Sequence, residues 1–389
     1  MCKPKVLFVA STAEYGSGEC LLVDYLLSQN EKRFVPVVAF PGKGPLEQEL
    51  REAGLETIII PGKDWLTDLR LLWKQPFLWL GNLKSFIEMS EIIQKKEIKL
   101  VASFSFINWT GALSARQEGI PHIWLIREVM TTKKKNRLIF FWGKWLARRL
   151  ANDLSINVLL ESSLAAALFS RRRMQEKARV IRPAIDAEKF LSRLNEFPEQ
   201  SQEKEPRIGL FINDLSFKKI ERMVSEIYLA RESLDLKKVL LFFPGLETKR
   251  VERIKARIRR ECCFQELSLE FPSFYPRSSI WRQIRAAVIV PGVDPLSRLV
   301  LEAGLAALPV FVEESASAEL VIPGETGFVF KDDDYRALVK MLVEILEGRN
   351  LSQSIGKSAR EHIIRNYQLK AWEETFEKIA EESLFLPQR

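Results

Sequence analysis

Asp294 and Glu302 are two carboxylates with seven residues between them, in a segment whose pattern predicts a strand, a turn and a helix. The strand ends near Val290, Asp294 lies in the turn, and Glu302 lies about two turns further along. A helix N-terminus after a turn presents free N–H groups and a partial positive charge, which suit a phosphate group. Arg298 adds a cation, and Glu302 can accept hydrogen bonds from ribose hydroxyls. The alternative is an ordinary solvated helix with a polar N-terminus.

A glycine-containing turn near the start of the chain is the second feature that could contact a ligand. Gly16, Ser17 and Gly18 lie between an apolar run at residues 6–10 and an apolar helical segment at residues 21–27. A strand, a glycine turn and a helix in this order begin a nucleotide-binding type of α/β unit. The alternative is that these glycines only form a tight turn.

The elements that would position these residues fall into two series. Strand and helix patterns alternate along residues 1–192 and again along residues 207–366, which predicts an α/β fold with parallel sheets and helices on both faces. Residues 193–206 are polar, contain prolines and lack periodicity, so we interpret them as a linker. A ligand of two such domains is expected in the cleft between them, at the carboxyl ends of the strands.

Length and composition limit the classes of protein that fit. A chain of 389 residues suggests two or three domains, and its net charge of +8 favours an anionic partner such as nucleic acid, anionic lipid or a phosphorylated substrate. The four cysteines lack metal-ligand spacing and indicate a reducing compartment. The first apolar run is too short for a signal peptide, and no apolar stretch is long enough to span a bilayer. We therefore expect a cytoplasmic protein with, at most, peripheral membrane contact.

Five segments, in order along nearly the whole chain, resemble one enzyme family. Residues 290–303 are similar to the Glu-x7-Glu signature of glycosyltransferase family 4, the retaining group 1 enzymes of the GT-B fold. The following run, residues 303–310, resembles the family's E-A-x-A-x-G-x-P-V pattern, and residues 319–329 resemble its E-x-V-x-x-G-x-T-G-x-L-V pattern. Residues 180–190 and 119–129 resemble the V-I-x-N-G-V-D and G-I-P-H-I-W-x-I-R-E passages of its first domain.

The resemblance implies a GT-B fold, with two Rossmann-like domains facing across a cleft and a helix in residues 367–389 that packs back on the first domain. It assigns Asp294 to the donor sugar, Glu302 to the ribose, and Arg298 with the backbone N–H groups of residues 297–299 to the diphosphate. The remaining positions implied for donor binding or catalysis are Gly16, Ser17, Gly18, Lys218, Arg127, Gly245, Ser297 and Leu299.

Several positions depart from the family pattern. The signature begins with Asp294 in place of glutamate, and Arg127 lies where the first domain usually has histidine. Asp214 stands where an arginine should neutralise the diphosphate, and losing such a contact costs about 1.5–3 kcal/mol. Lys218 is assigned to the family's lysine position and Lys219 is expected to be a solvated neighbour.

By this resemblance the protein transfers a hexose from a UDP- or GDP-sugar to a glycan or lipid-linked acceptor with retention, in surface polysaccharide or glycolipid synthesis. The leaving diphosphate is then stabilised by cations and N–H groups, so no cofactor and no metal are expected. The first alternative is a GT-B protein that has lost activity and serves as a binding or scaffold subunit. The second is another GT-B enzyme such as a nucleotide-sugar epimerase.

A basic and aromatic segment begins at Lys133 and ends at Arg149. It combines seven cations with four aromatic rings, which suits a helix at the inner, anionic face of a membrane. The alternative is a core-packing helix with a basic outer face. Nucleic acid is not expected as a partner, because no nucleic-acid-binding module is recognisable. His122 follows Pro121 at a predicted strand start, which favours a packed histidine over a catalytic one.

Overall fold

The apolar runs of the sequence form parallel strands in the computed structural model. The model describes residues 3–14, 16–28, 32–62, 80–106, 109–127, 143–168, 177–197, 207–213, 216–244, 248–262, 267–271, 277–292 and 297–385. The chain divides into two compact units, Met1–Pro183 with Leu369–Arg389, and Ala184–Gln368.

The first unit is built on a seven-stranded parallel sheet with the order β3-β2-β1-β4-β5-β6-β7. Its inner strands are continuous apolar runs because both faces of a parallel sheet are covered by helices. The strands are β1 Lys5–Ala10, β2 Val35–Phe40, β3 Glu56–Ile59, β4 Ile98–Phe104, β5 His122–Ile126, β6 Asn157–Leu160 and β7 Ala178–Val180. The helices before residue 184 are α1 Ser17–Leu27, α2 Pro45–Glu52, α3 Leu83–Lys95, α4 Thr110–Gln117, α5 Gly143–Leu154 and α6 Ser163–Leu168.

The second unit is built on a six-stranded parallel sheet with the order β10-β9-β8-β11-β12-β13. Its strands are β8 Arg207–Ile212, β9 Lys238–Phe242, β10 Ser268–Glu270, β11 Ala286–Val290, β12 Val310–Glu313 and β13 Phe328–Phe330. Its helices are α7 Ala187–Asn195, α8 Phe217–Leu229, α9 Thr248–Glu261, α10 Arg277–Trp281, α11 Ser297–Leu305, α12 Tyr335–Glu347 and α13 Arg349–Asn366, with a 3₁₀ helix at Ala316–Leu320.

Each sheet has a point at which the strand order reverses. In the first unit β1 pairs with β2 on one side and with β4 on the other. In the second unit β8 pairs with β9 on one side and with β11 on the other. Open α/β sheets bind ligands outside the carboxyl ends of the strands at such a point. The segments after β1, β8 and β11 are therefore the positions where functional side chains are expected.

The last helix, α14 Leu369–Leu384, belongs to the first unit and covers an aromatic cluster. Phe376 is fully buried and stacks on Trp372 at a ring-centroid distance of 5.0 Å. The Tyr25 hydroxyl donates a hydrogen bond of 3.1 Å to Glu377, and Lys32 lies 3.1 Å from Glu373. Apolar contacts and ion pairs together hold α14 against α1.

The boundary between the units lies earlier in the chain than the linker predicted at residues 193–206. Helix α7 belongs to the second unit, where Phe190 and Leu194 lie in one core cluster with Trp281. The helix begins where the Asp186 side chain accepts a 2.9 Å hydrogen bond from the Lys189 N–H, which is a common N-terminal cap. The change of unit therefore comes after Pro183, before α7. The predicted α/β class with parallel sheets is confirmed.

Candidate functional site

Each unit has its own candidate functional residues, and those of the second unit lie where β8, β9 and β11 end. Asn213 follows β8, and its side-chain amide donates a 2.9 Å hydrogen bond to the carbonyl of Pro244, which follows β9. A Cβ on Gly292, after β11, would lie 2.5 Å from the carbonyl oxygen of Asn213. Only glycine fits at this close approach. Sequence reasoning missed Asn213, whose only signal was its place directly after a strand.

Glu302 is buried in α11 with both of its carboxylate oxygens engaged. Its Oε1 accepts a 2.8 Å hydrogen bond from Nε of Arg298, one turn earlier, and its Oε2 accepts a 3.2 Å bond from Nε1 of Trp281. Trp281 in turn stacks on Phe211 of β8, with ring centroids 4.9 Å apart. These contacts fix the orientation of the carboxylate. Carboxylate oxygens accept hydrogen bonds from hydroxyl groups, which is the chemistry that the sequence predicts for Glu302.

The first turn of α11 holds the predicted Ser297 and Leu299. Both side chains are buried, so this turn can offer a ligand its backbone N–H groups rather than these side chains. The structure brings Arg298 and Glu302 together as an ion pair. Asp294 and Gly245, two further predicted site residues, and Asp214 lie outside the described residues, so their assignments stay predictions.

The expectation that Lys219 is a solvated neighbour of Lys218 is wrong. Lys219 Nζ lies 2.7 Å from one oxygen of Glu313 and 3.0 Å from Asp332, and its side chain is mostly buried. The reason is that Glu313, at the end of β12, faces the first turn of α8. Lys218 is exposed, and the described part of the chain contains no ion-pair partner for it. At the start of α8, the charge of Lys218 is therefore open to solvent, whereas that of Lys219 is not.

In the first unit, the predicted Arg127 pairs with a glutamate that sequence reasoning missed. Arg127 follows β5 and is buried, and its Nη2 donates a 3.2 Å hydrogen bond to Oε2 of Glu19. Glu19 is also buried, and its Oε1 accepts a 2.5 Å bond from the Ser11 hydroxyl and a 3.3 Å bond from the Ser11 N–H. The carboxyl ends of β1 and β5 are thus linked through a buried ion pair. The only sequence signal was an acidic residue in the first turn of α1.

Two glycines at the start of α1, Gly16 before the helix and Gly18 in its first turn, leave room for this ion pair. A Cβ on Gly18 would lie 2.2 Å from Nε of Arg127, and a Cβ on Gly16 would lie 2.5 Å from Oε2 of Glu19. The backbone of Gly16 has φ −85°, a conformation that any residue adopts, so space rather than backbone freedom explains it. Helix α1 begins at Ser17. The approach of this turn to a sugar donor stays a prediction.

His122 is a core residue, as its sequence context predicted. It is fully buried at the start of β5, with Nδ1 2.8 Å from the Ser155 hydroxyl and Nε2 2.9 Å from the Ser103 hydroxyl. Burial lowers the pKa of the imidazole to about 3, from an ordinary value of 6.5. The ring is therefore neutral in the folded protein at physiological pH.

This burial predicts a loss of stability in acid. Below about pH 6.5 the unfolded chain binds a proton at His122 that the folded chain does not bind until about pH 3. The free energy of unfolding should fall through this interval as the pH falls, by up to about 1.4 kcal/mol per pH unit. Urea denaturation of wild type and His122→Gln at a series of pH values measures this. Between pH 6.5 and 5, the free energy of unfolding should fall more steeply with falling pH for wild type than for His122→Gln. Identical slopes would rule out His122 as the source of the acid sensitivity.

Two further findings concern metals and membranes. Among the described residues, no group of three or more His, Cys, Asp or Glu side chains is placed to hold a metal ion. Across those same residues, no helix has the length and apolar character needed to cross a membrane.

Most of the segment from Lys133 to Arg149, which was predicted to contact a membrane, lies outside the described residues. The described part includes the start of α5, where exposed Arg149 lies 3.4 Å from Asp153.

Comparisons of the sequence with protein-family models and with curated proteins find no match. Comparisons of the structure find similar two-unit α/β proteins, and they show that the chain has the GT-B fold predicted from its motifs. One is Anabaena HepE in complex with UDP-glucose, with a TM-score of 0.74 and 14% identity over 97% of this chain and 99% of that one. Another is a glycosyltransferase from Rickettsia africae, with a TM-score of 0.70 and 16% identity over 98% and 99%. A third is sucrose-phosphate synthase from Thermosynechococcus elongatus, with a TM-score of 0.67 and 15% identity over 97% and 98%.

Proposed function

We propose that the chain is a glycosyltransferase that moves a hexose from a UDP- or GDP-sugar onto a glycan or lipid-linked acceptor. The observation that carries the proposal is Glu302, a buried carboxylate held by Arg298 and Trp281 in the helix that follows β11. A carboxylate fixed in this way is suited to the two hydroxyls of a ribose. The shared fold with HepE, whose structure contains UDP-glucose, supports the same type of donor.

The diphosphate of the donor is proposed to bind at the start of α11. The N–H groups of residues 297–299 have no partner within the helix and carry its positive partial charge. Lys218, exposed in the first turn of α8, is proposed to supply the cation. Gly245, which follows Pro244 in the sequence, is proposed to contact the donor. Asp294 is proposed to face the hexose.

Catalysis in this proposal is electrostatic and needs no cofactor. As the bond from the hexose to the diphosphate breaks, negative charge grows on the diphosphate, and preorganised N–H groups and cations stabilise it. Lys218 and the first turn of α11 supply these groups from the second unit. Arg127 is proposed to act from the first unit, as a guanidinium that Glu19 holds in place. Transfer is proposed to retain the configuration of the sugar.

The setting we propose is the assembly of a surface polysaccharide or glycolipid, with the protein peripheral at the inner face of the membrane. The support is compositional, since the segment from Lys133 to Arg149 combines cations with aromatic rings. A lipid-linked acceptor would be found at that surface.

A second candidate function, a nucleotide-binding or scaffold subunit without transferase activity, is favoured by one observation. Lys219 is compensated by the carboxylates of Glu313 and Asp332, which leaves less positive charge for a diphosphate at the start of α8. Asp214, three residues before α8, adds a further negative charge to the sequence there. A subunit of this kind binds a nucleotide and releases no product.

Release of nucleoside diphosphate separates the two functions. The full-length chain is incubated with a set of UDP- and GDP-hexoses, with and without short glycan acceptors, and free UDP or GDP is measured. The transferase proposal expects one donor to be consumed, and expects an acceptor to accelerate its consumption. Nucleotide binding with no consumption of any donor would favour the scaffold.

Replacing Glu302 by alanine should weaken binding of UDP or GDP by about 1.5–3 kcal/mol, roughly a 10- to 150-fold rise in Kd, because a charged hydrogen-bond acceptor is lost. Titration calorimetry measures the effect. Glu302→Gln serves as a second variant, since its amide oxygen can still accept the bond from Trp281. Glu344→Ala, at an exposed position of α12, is the control and should bind like wild type. If Glu302→Ala and Glu344→Ala bind equally well, the ribose site is elsewhere.

A further inference from the structure

Helix α9 has a high density of positive charge. Its fourteen residues, TKRVERIKARIRRE, contain seven basic and two acidic side chains. The helix thus has a net charge of +5, while the whole chain of 389 residues has +8. Neither the proposed donor site nor the predicted membrane segment accounts for this concentration of charge.

The arginines of α9 form a stripe on its outer face. The inner face buries Val251 and Ile258, and Ile258 belongs to the core of the second unit. Residues at spacings of 3, 4 and 7 lie on one face of a helix. The exposed stripe consists of Arg250, Arg253, Arg257 and Arg260. It extends along about 15 Å of the helix axis.

Much of this charge is open to solvent. Glu261 lies 3.1 Å from Arg257 and 2.6 Å from Arg260, yet the two arginine side chains remain 49% and 76% exposed. The described residues provide no ion-pair partner for Arg250 or Arg253. Arg257 also lies over the ring of Phe217 at 3.9 Å, so the middle of the stripe is packed against α8. The stripe is a row of four cations along one face of the helix.

We propose that this arginine face of α9 docks the second unit on an anionic lipid bilayer. A straight row of cations on one helix face can meet a planar anionic surface at all four positions together. The other exposed residues described on α9 are Arg259, Ala256, Glu252 and Glu261, so this face has no aromatic ring for stacking on bases and no amide for reading them. This composition favours a lipid surface over nucleic acid.

The chemistry of the face also determines how it binds. It has no large apolar side chain to insert, so attraction to anionic headgroups is its whole driving force. Binding through α9 should therefore disappear at high salt, where screening shortens the range of the charges. Binding through the aromatic segment that begins at Lys133 would keep an apolar contribution in the same salt. This inference is independent of the proposed transferase activity.

Co-sedimentation with lipid vesicles tests the proposal. Full-length wild type should sediment with phosphatidylcholine vesicles that contain phosphatidylglycerol, and not with phosphatidylcholine alone. Arg250→Gln with Arg253→Gln should lower the partition coefficient about 30-fold, which corresponds to about 1 kcal/mol for each lost charge. The matched control is Lys340→Gln with Arg365→Gln, two exposed positions on α12 and α13 with the same change in net charge. The control should sediment like wild type.

Melting temperatures equal to that of wild type show that both double variants are folded. The proposal is overturned if the two double variants lose the same amount of binding, since net charge alone would then explain it. It is also overturned if wild type does not sediment with the anionic vesicles. Tighter binding of wild type to a single-stranded RNA oligomer than to the vesicles, lost in the α9 variant, would assign the face to nucleic acid instead.

Discussion

Replacing Arg127 by alanine is expected to lower the free energy of unfolding by about 3–5 kcal/mol, because the change leaves the buried carboxylate of Glu19 without its cation. Both side chains are almost wholly enclosed, with 5% of Arg127 and 2% of Glu19 exposed, so bulk solvent solvates the remaining carboxylate poorly. Chemical denaturation of the full-length chain measures the loss. The same variant tests the proposed catalytic role, since loss of donor consumption is interpretable only when the variant is still folded.

Two controls make this prediction specific. Arg33→Ala removes an arginine that lies 3.3 Å from Glu377 but is 49% exposed, and it should cost no more than about 1 kcal/mol. Replacing both partners, as Glu19→Leu with Arg127→Met, should cost less than Arg127→Ala alone, because no buried charge is left unpaired. Equal losses for Arg127→Ala and Arg33→Ala would mean that the Glu19 pair is not buried in solution.

Replacing Phe376 by alanine should also cost about 3–5 kcal/mol, because it removes a fully buried ring and leaves a cavity. Phe376 lies 5.6 Å from the ring of Tyr25 and 6.1 Å from those of Phe8 and Phe104. These rings come from α1, β1 and β4, so the cavity would lie between the last helix and the sheet of the first unit and would weaken their packing. The measurement is the midpoint of urea or thermal unfolding.

Phe385 provides the control for Phe376. It follows α14 directly and is 87% exposed, so Phe385→Ala should change stability by less than about 0.5 kcal/mol. A loss for Phe376→Ala no greater than that for Phe385→Ala would show that α14 does not contribute to the core. A protein truncated before α14 should then be as stable as the full chain.

The strands could be predicted from the sequence because buried parallel strands are continuous apolar runs. The run at residues 6–10 predicted a strand, and β1 is Lys5–Ala10. The run that forms β11, Ala286–Val290, has the bounds that its apolar residues indicate. The boundary between the units could not be found in this way. Residues 193–206 have the composition of a linker, whereas the boundary depends on the packing of α7 against Trp281.

Two side-chain pairs among the candidate functional residues could not be predicted from the sequence, because they join residues that are far apart in the chain. Glu19 and Arg127 are 108 positions apart, and Lys219 and Glu313 are 94 positions apart. Nothing in the local pattern around Lys219 shows that Glu313 will face it across the sheet edge. Arg298 and Glu302 form a pair that the sequence could suggest, since they lie four residues apart on one helix.

Titration calorimetry of the unmodified chain with UDP and with GDP tests whether the second unit binds a nucleotide through Glu302. We expect saturable one-to-one binding of at least one of the two nucleotides, with a weaker Kd for Glu302→Ala and an unchanged Kd for Glu344→Ala. Absence of saturable binding for both nucleotides, with the chain shown to be folded, would contradict a donor site at Glu302.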